Sequence, residues 1–341
     1  MDIASLPRSI YSGAYNTGHC QGIAIDRERK YLYYSFTTAL VKTDLSGKVV
    51  GWVKGLLGHL GCICFNNADG RVYGSLEYKN DEIGRGILCR LGEDAVENAF
   101  YAAIFDVERI DRPDMDASAD GIMTVSYLRE VVQDYEAEVC VDGQTLPHRH
   151  GCSGIDGTTI APHPDGSGIR DLYVAYGIYS DVSRTDNDNQ VILRYSLEEI
   201  AATAAPIDQR HMHRNGPAAP LEKLFIPTGN TTYGIQNLEY DPFTGKFLAA
   251  VYPGRKPAYP NDPFFVIDPA RTPVAGTGDA FPVSAWNTFQ GFPFRYGDTG
   301  MIALGEGYYY FSHHGRTAEG LWDTTVRLYR WDGVHPFAPV E

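Results

Sequence analysis

The chain has 341 residues, 43% of them apolar, and a formal charge of -14. That is enough apolar material for a large core. The acidic balance, with no clustered basic stretch, argues against a nucleic-acid surface, and no apolar run approaches the roughly 18 residues that span a bilayer.

Thirty-six glycines and twenty-three tyrosines beside five methionines favour many short strands joined by tight turns. Residues 9–15 form one short β-like run, placed to pair with the last repeat and close a ring. A first repeat starts near His19, with expected strands at 22–25, 31–36, 40–44 and 49–53. Four strands in about 35 residues is the size of a propeller blade. The second repeat, HLGCICFNNADGRVYGSLEYKNDEIGR from His59 to Arg85, gives the clearest hairpin: strand 62–65, an Asn/Asp/Gly turn, strand 72–76 and then a long polar loop. It continues with a strand over 100–107 and a segment, 123–132, that suits either a strand or a short helix.

The third repeat, starting near 152, has strands at 158–161, 172–175 and 190–195, followed by the helix-forming SLEEIAATAA and an exposed linker, DQRHMHRNGPAAP. The fourth starts near 233, with strands at 236–240, 247–251 and 264–267. The fifth starts near 297, with strands at 301–304, 308–311 and 326–331. Residues 97–147 show no second hairpin of this kind, so five blades fit better than six or seven. The predicted fold is an all-β, five-bladed propeller forming a single domain over residues 1–341. The competing reading is an irregular β-sandwich whose hairpins resemble one another by chance.

In such a ring the starts of inner strands and the loops after second strands emerge on one face. Here they carry His19, Gln21, His59, Asp156, Gln236 and Asp298, with Glu77, Tyr176, Tyr179, Arg255, His314 and Arg316 from the loops. Glu77 beside aromatic surface is expected to have a raised pKa and act as a general acid. Asp156 or Asp298 across the axis would supply the second carboxyl that glycoside hydrolysis needs. A solvated salt bridge from Glu77 to Lys79 or Arg85 is the plainer reading. His314, with Arg316 or Arg255 holding a carboxylate and Tyr176 or Tyr179 exchanging a proton, would suit β-elimination from a uronic acid. Adjacent strand residues point to opposite sides, so only one of His313 and His314 should reach the site.

His19 and His59 occupy equivalent positions and are weak candidates for a metal, which would suit a metal-dependent esterase or lactonase. Asp181, Asp186, Asn187, Asp188 and Asn189 offer the hard oxygens that calcium or another divalent metal favours, without the spacing of an EF-hand. Asx turns account for the same residues. The six cysteines lie in the first half of the chain with no Cys-x-x-Cys, as expected of buried free thiols in a reducing compartment. With no apolar signal core in MDIASLPRSIYSGAY, the chain as written is read as cytoplasmic, or as exported behind a leader already removed.

The segments HCQGIAIDRERKYLYYSF and YGIQNLEYDPFTGKFLAAVY resemble β-propeller repeats, and the blade number resembles that of five-bladed glycosidases acting on arabinans and fructans. The resemblance implies a carbohydrate or oligosaccharide partner and a hydrolase or lyase, against the alternative of a non-catalytic sugar-binding or interaction module. Those glycosidases place an acid on the first inner strand, where this chain has His19-Cys20-Gln21-Gly22, so their catalytic carboxylates do not carry over. The metal-binding acids of six-bladed lactonases have no recognisable counterpart either. Five loops of unequal length and charge favour one asymmetric central site over repeated lectin pockets.

Overall fold

A computed structural model describes residues 3–334 and 337–341. Five sheets stand around an axis, each led by an inner strand: Cys20–Ile25, His59–Asn66, Cys152–Pro162, Thr232–Asp241 and Met301–Gly305. Each inner strand lies beside those of the next and previous blades, the last returning to the first. The chain is a five-bladed β-propeller.

The inner strands are covered on both faces, which is why they read as short continuous apolar runs with little alternation. Cys20–Ile25 is buried at every position but its last, and Cys152–Pro162 likewise. Aromatic rings fill the wedges between blades. Tyr173 meets Phe247 at 5.0 Å and Phe247 meets Trp286 at 4.7 Å between blades 3 and 4. Phe294 meets Phe311 at 4.8 Å beside blade 5, and Tyr15 meets Phe36 at 5.1 Å between blades 5 and 1.

Ring closure follows the expected route. Ser9–Tyr15 pairs antiparallel with Trp322–Arg330 as the outermost strand of blade 5, joining the start of the chain to its end. Ile10 is buried there, and Ser12 Oγ accepts the Thr324 amide at 3.0 Å.

Several segments differ from the sequence reading, among them a separate two-stranded hairpin, Glu138–Val141 with Gln144–Pro147, within residues 97–147, and the unexpected outer strands Glu222–Ile226 of blade 3 and Phe289–Phe292 of blade 4. The polar loop expected after residue 76 is largely a helix, α1 (Glu82–Leu91), capped by Asp81, which accepts the Gly84 amide, and stopped by Gly92 in the left-handed region. Gly84 and Gly86 disguised it; a Cβ on Gly84 would sit 1.7 Å from the Lys79 carbonyl, so tertiary contact demands the glycine. Residues 123–132, left open between strand and helix, are both: Met123–Tyr127 is the outer strand of blade 2, followed by α2 (Arg129–Glu136). Finally, Arg271–Pro273 and Val283–Trp286, too short and polar to be read as strands, leave blade 4 and extend blade 3, the latter running parallel to Glu222–Ile226. No helix among the described residues is long and apolar enough to cross a membrane.

Ile10→Ala should remove about 2–4 kcal/mol of stability by opening a cavity under the closing strand. Urea unfolding followed by tyrosine and tryptophan fluorescence checks it; an unchanged midpoint would show that the terminal strand does not hold the ring.

Candidate functional site

Bulges near the starts of four inner strands aim the site. The strand register slips between Cys20 and Gly22, Leu60 and Ile63, Ile155 and Thr158, and Ile235 and Asn237. A bulge leaves one residue unpaired and re-aims its side chain. The residues that fall in these slips are Gln21, the pair Gly61 and Cys62, the pair Asp156 and Gly157, and Gln236, at corresponding places in blades 1 to 4. Gln21, Asp156 and Gln236 turn into a cavity of about 130 Å³ at the axial mouth, with His19, His59, Glu77, Lys79, Tyr233 and Tyr252 among its other walls. Gly61 makes way for them: a Cβ there would lie 2.9 Å from Asp156 Oδ1 and 2.4 Å from Ser75 Oγ.

The wall from blades 2 and 3 is ionic. Glu77 and Lys79 lie at the end of the second strand of blade 2, and both are buried. Lys79 Nζ donates to Glu77 Oε1 at 2.7 Å and to the Ser153 carbonyl at 2.7 Å, and Asp81 lies 3.5 Å away. Glu77 Oε2 accepts the Ile155 amide at 3.0 Å. Gly154, at φ +126°, permits that approach, since a Cβ would fall 2.0 Å from Oε2. His59 Nδ1 stands 3.3 Å from Glu77 Oε1 and 3.6 Å from Asp156 Oδ1. The Gln236 side-chain amide donates to Asp156 Oδ2 at 3.3 Å, while Oδ1 is buried with no hydrogen-bond partner.

Charge is distributed unequally over the two carboxyls. Burial pushes Glu77 upward, but Lys79 and His59 outweigh it and hold the carboxyl below its ordinary value. The raised pKa expected of Glu77 is therefore not found, because its environment is an ion pair and not an aromatic surface. The raised carboxyl is Asp156: burial pushes it up to about 7, Glu77 adds to the shift, and His59 opposes it. Burial acts against protonation of His59, yet Glu77 and Asp156 keep its pKa above the ordinary value.

The wall from blades 1, 4 and 5 is neutral and aromatic. Burial, reinforced by His59 and His314, lowers His19 to about 4. Its Nε2 is 3.4 Å from the Tyr252 hydroxyl, and its ring lies 5.7 Å from Trp322 and 6.0 Å from His314. Arg316 lies over Trp322 at 4.8 Å, on the rim. Asp298 stands beside His314, raised by burial with the imidazole opposing. Strand alternation separates the histidine pair: His313 stacks on Tyr296 at 3.8 Å and faces away from His19.

The mouth thus gathers Glu77, Asp156, His19, Gln21, His59 and Gln236, with Asp298, His314 and Arg316 at its edge. Other expected members lie elsewhere. Tyr176 is fully buried with its hydroxyl on Asp134, 2.9 Å away, locked against α2. Tyr179 packs on His148 and donates to Asp81 at 3.0 Å, touching the ionic wall only through that carboxylate. Arg255 is exposed and lines no part of the cavity.

The two metal expectations meet cations of the protein itself. Beside His59, the place next to Glu77 is taken by Lys79 Nζ. Among the described residues no group of three or more His, Cys, Asp or Glu side chains is arranged to hold a metal ion. In the Asp181–Asn189 run, Asn187 Oδ1 accepts Lys256 Nζ at 2.8 Å, and Asp188 and the Arg184 carbonyl take the same ammonium. Arg184 itself pairs with Asp186 at 2.8 Å. All six cysteines are free; Cys20, Cys62, Cys64 and Cys152 are buried, whereas Cys89 and Cys140 are exposed.

Tyr252 escaped the sequence reading. Its signal is register: Tyr252 faces Thr232 across blade 4 as Glu77 faces His59 across blade 2.

No family model and no curated protein matches the chain. Among solved structures it is similar to a GH32 β-fructofuranosidase of Bombyx mori (12% identity, TM-score 0.43, covering 98% of this chain and 65% of that one). It is also similar to the holo PQQ domain of pyranose dehydrogenase from Coprinopsis cinerea (11%, 0.40, 90% and 81%) and to the Cps50 (Swd1) β-propeller domain of Myceliophteria thermophila (9%, 0.33, 94% and 99%). At such identities an activity does not transfer.

Glu77→Gln should cost about 3–5 kcal/mol, because it leaves Lys79 as a buried cation without its main counter-charge. Chemical denaturation of the variant checks this; wild-type stability would mean that the ion pair does not organise the mouth.

Proposed function

We propose that the axial mouth binds a sugar unit of an oligosaccharide and cleaves its glycosidic bond, with Asp156 as the proton donor. The observation that carries this reading is the place of Asp156: a buried carboxyl in the cavity wall beside Glu77 and His59, pushed up to about 7 by the loss of water. A group poised near the working pH both holds and releases a proton efficiently.

Glu77 supports the reading as the fixed negative charge of the pair. Both carboxyls border the same His59 nitrogen, so they stand close enough to push their pKa values apart. In the cleavage step the Asp156 proton passes to the glycosidic oxygen as the C–O bond breaks and the bonding pair stays on that oxygen. The ionised Glu77 then faces the positive charge that develops on the sugar ring. In this reading Asp298, beside His314 at the edge of the mouth, takes the proton of the incoming water. Trp322 and the ring of His19 offer apolar faces for the sugar.

The test is purified protein against a panel of neutral and uronate-containing oligosaccharides, with reducing ends and unsaturated uronates both measured. New reducing ends without unsaturation support hydrolysis. Unsaturated products would replace it with elimination, and binding without cleavage would assign the mouth to recognition alone.

Asp156→Asn separates chemistry from folding. The folded carboxyl titrates at about 7 and the unfolded one at roughly 4, so the folded chain holds an extra proton between those values. The stabilisation from that proton is complete below roughly pH 4 and is lost as pH rises towards 7. The variant should therefore unfold at a higher temperature than wild type at pH 8 and at the same temperature at pH 4. Its turnover should fall by about 100-fold or more, and wild-type turnover should decline above neutrality as the acid loses its proton. Equal melting at pH 8, or unchanged turnover, would remove Asp156 from this role.

A further inference from the structure

The neutral wall of the mouth contains a donor that the protein does not use. Gln21 Nε2 lies 3.2 Å from Thr37 Oγ1 and 3.2 Å from His19 Nδ1. An amide nitrogen only donates, so both of its hydrogens are committed and Nδ1 must present its lone pair. The proton of the neutral imidazole then sits on Nε2, which is 3.4 Å from the Tyr252 hydroxyl, so His19 donates and the phenol oxygen accepts. No other protein group takes up the phenol: among the described residues its hydroxyl has no second hydrogen-bond partner, and Tyr252 lines the cavity. Its own proton is left for something outside the protein.

The electrostatics agree with that assignment. Burial raises the phenol, and the carboxyls of Asp298 and Asp156 raise it further, so it keeps its proton throughout the neutral range. Asp156, another residue of the cavity wall, accepts from Gln236 through Oδ2 and has Oδ1 buried 3.6 Å from His59 Nδ1. The cavity therefore offers a free hydrogen-bond donor on one side and a proton-exchanging carboxyl on the other.

We propose that Tyr252 is a substrate-binding residue that donates its hydroxyl proton to an oxygen of the ligand, with His19 as the positioning residue that sets its direction. The ligand class is a molecule that presents one oxygen to Asp156 and a second, acceptor oxygen to Tyr252, as neighbouring ring and exocyclic oxygens of a sugar do. The hydrogen bond from His19 also stabilises negative charge on the phenol oxygen, which makes Tyr252 a stronger donor to an oxygen gaining charge. This assignment rests on the sugar reading of the mouth for the ligand's class, and on the hydrogen-bond inventory for the donor's direction.

Two measurements test it. In uniformly 15N-labelled wild-type protein, long-range proton–nitrogen NMR at pH 7 reports the tautomer of His19, assigned by comparison with His19→Gln. A neutral ring protonated at Nε2 is expected; a ring protonated at Nδ1, or a cation, would overturn the proposal with no ligand present. The second compares Tyr252→Phe with wild type in calorimetric titrations against the oligosaccharide panel. At an unchanged melting temperature, the loss of one buried donor should weaken binding about tenfold. Equal affinity would overturn the role of Tyr252 while leaving the sugar reading intact. If wild-type protein binds no member of the panel, the sugar reading fails and the ligand role of Tyr252 falls with it.

Discussion

Backbone carbonyls at the bulges of the first three inner strands are taken up by side chains of other blades. Ser35 Oγ donates to the Gly61 carbonyl at 2.7 Å, from blade 1 to blade 2. Ser75 Oγ does the same for Asp156 at 2.6 Å, from blade 2 to blade 3. The Asn237 amide reaches the Gln21 carbonyl at 2.8 Å and the Asp298 carbonyl at 2.9 Å, linking blade 4 to blades 1 and 5. A buried carbonyl without a partner costs roughly 1–3 kcal/mol, so these contacts hold the blades in register around the axis. They also fix the site: the residues whose carbonyls are held this way include Asp156, Gln21 and Asp298, whose side chains stand in or beside the mouth.

The same economy of space explains why the mouth holds an ammonium. Glu77 reaches across from blade 2 to the Ile155 amide of blade 3, which leaves a desolvated carboxylate at the interface. Lys79, the first residue after the strand of Glu77, meets it at 2.7 Å. Lys256 performs the equivalent service in the Asp181–Asn189 run. In both places a lysine supplies the positive charge at a cluster of oxygens of the kind that the sequence offers for a metal. The negative charge that Lys79 neutralises is one of two; the second, Asp156, is pushed up to about 7 by burial, with Glu77 adding to the rise and the His59 imidazole 3.6 Å away opposing it.

Much of the architecture was legible because propeller blades announce themselves locally. HLGCICFNNADGRVYGSLEY shows a buried strand, an Asn/Asp/Gly turn and a second buried strand within twenty residues, and comparable units recur in four other places. The closing role of residues 9–15 followed from their position ahead of the first repeat. Helix α1 was missed because Gly84 and Gly86 lower its intrinsic propensity, and those glycines answer to neighbours such as the Lys79 carbonyl that no local window contains. The strand at 283–286 was missed because its partner, Glu222–Ile226, is far away in sequence, and 271–273 because it is a strand only by pairing with 283–286.

For the site, the chain alone determined which strand ends reach the axis, since that depends on alternation and blade order. It therefore named His19, His59, Glu77, Asp156 and Gln236 as neighbours although they come from four blades. Only the tertiary structure decided what each one does there. Whether Glu77 or Asp156 keeps its proton depends on Lys79, His59 and the loss of water, and whether Tyr252 donates depends on a chain of contacts through Gln21 and His19. Tyr176, on a strand of the right kind, was drawn away by Asp134 on a helix that packs outside its blade. Periodicity is a one-dimensional property and survives in the letters; charge state and hydrogen-bond direction are set by distances of a few ångströms between residues far apart in the chain.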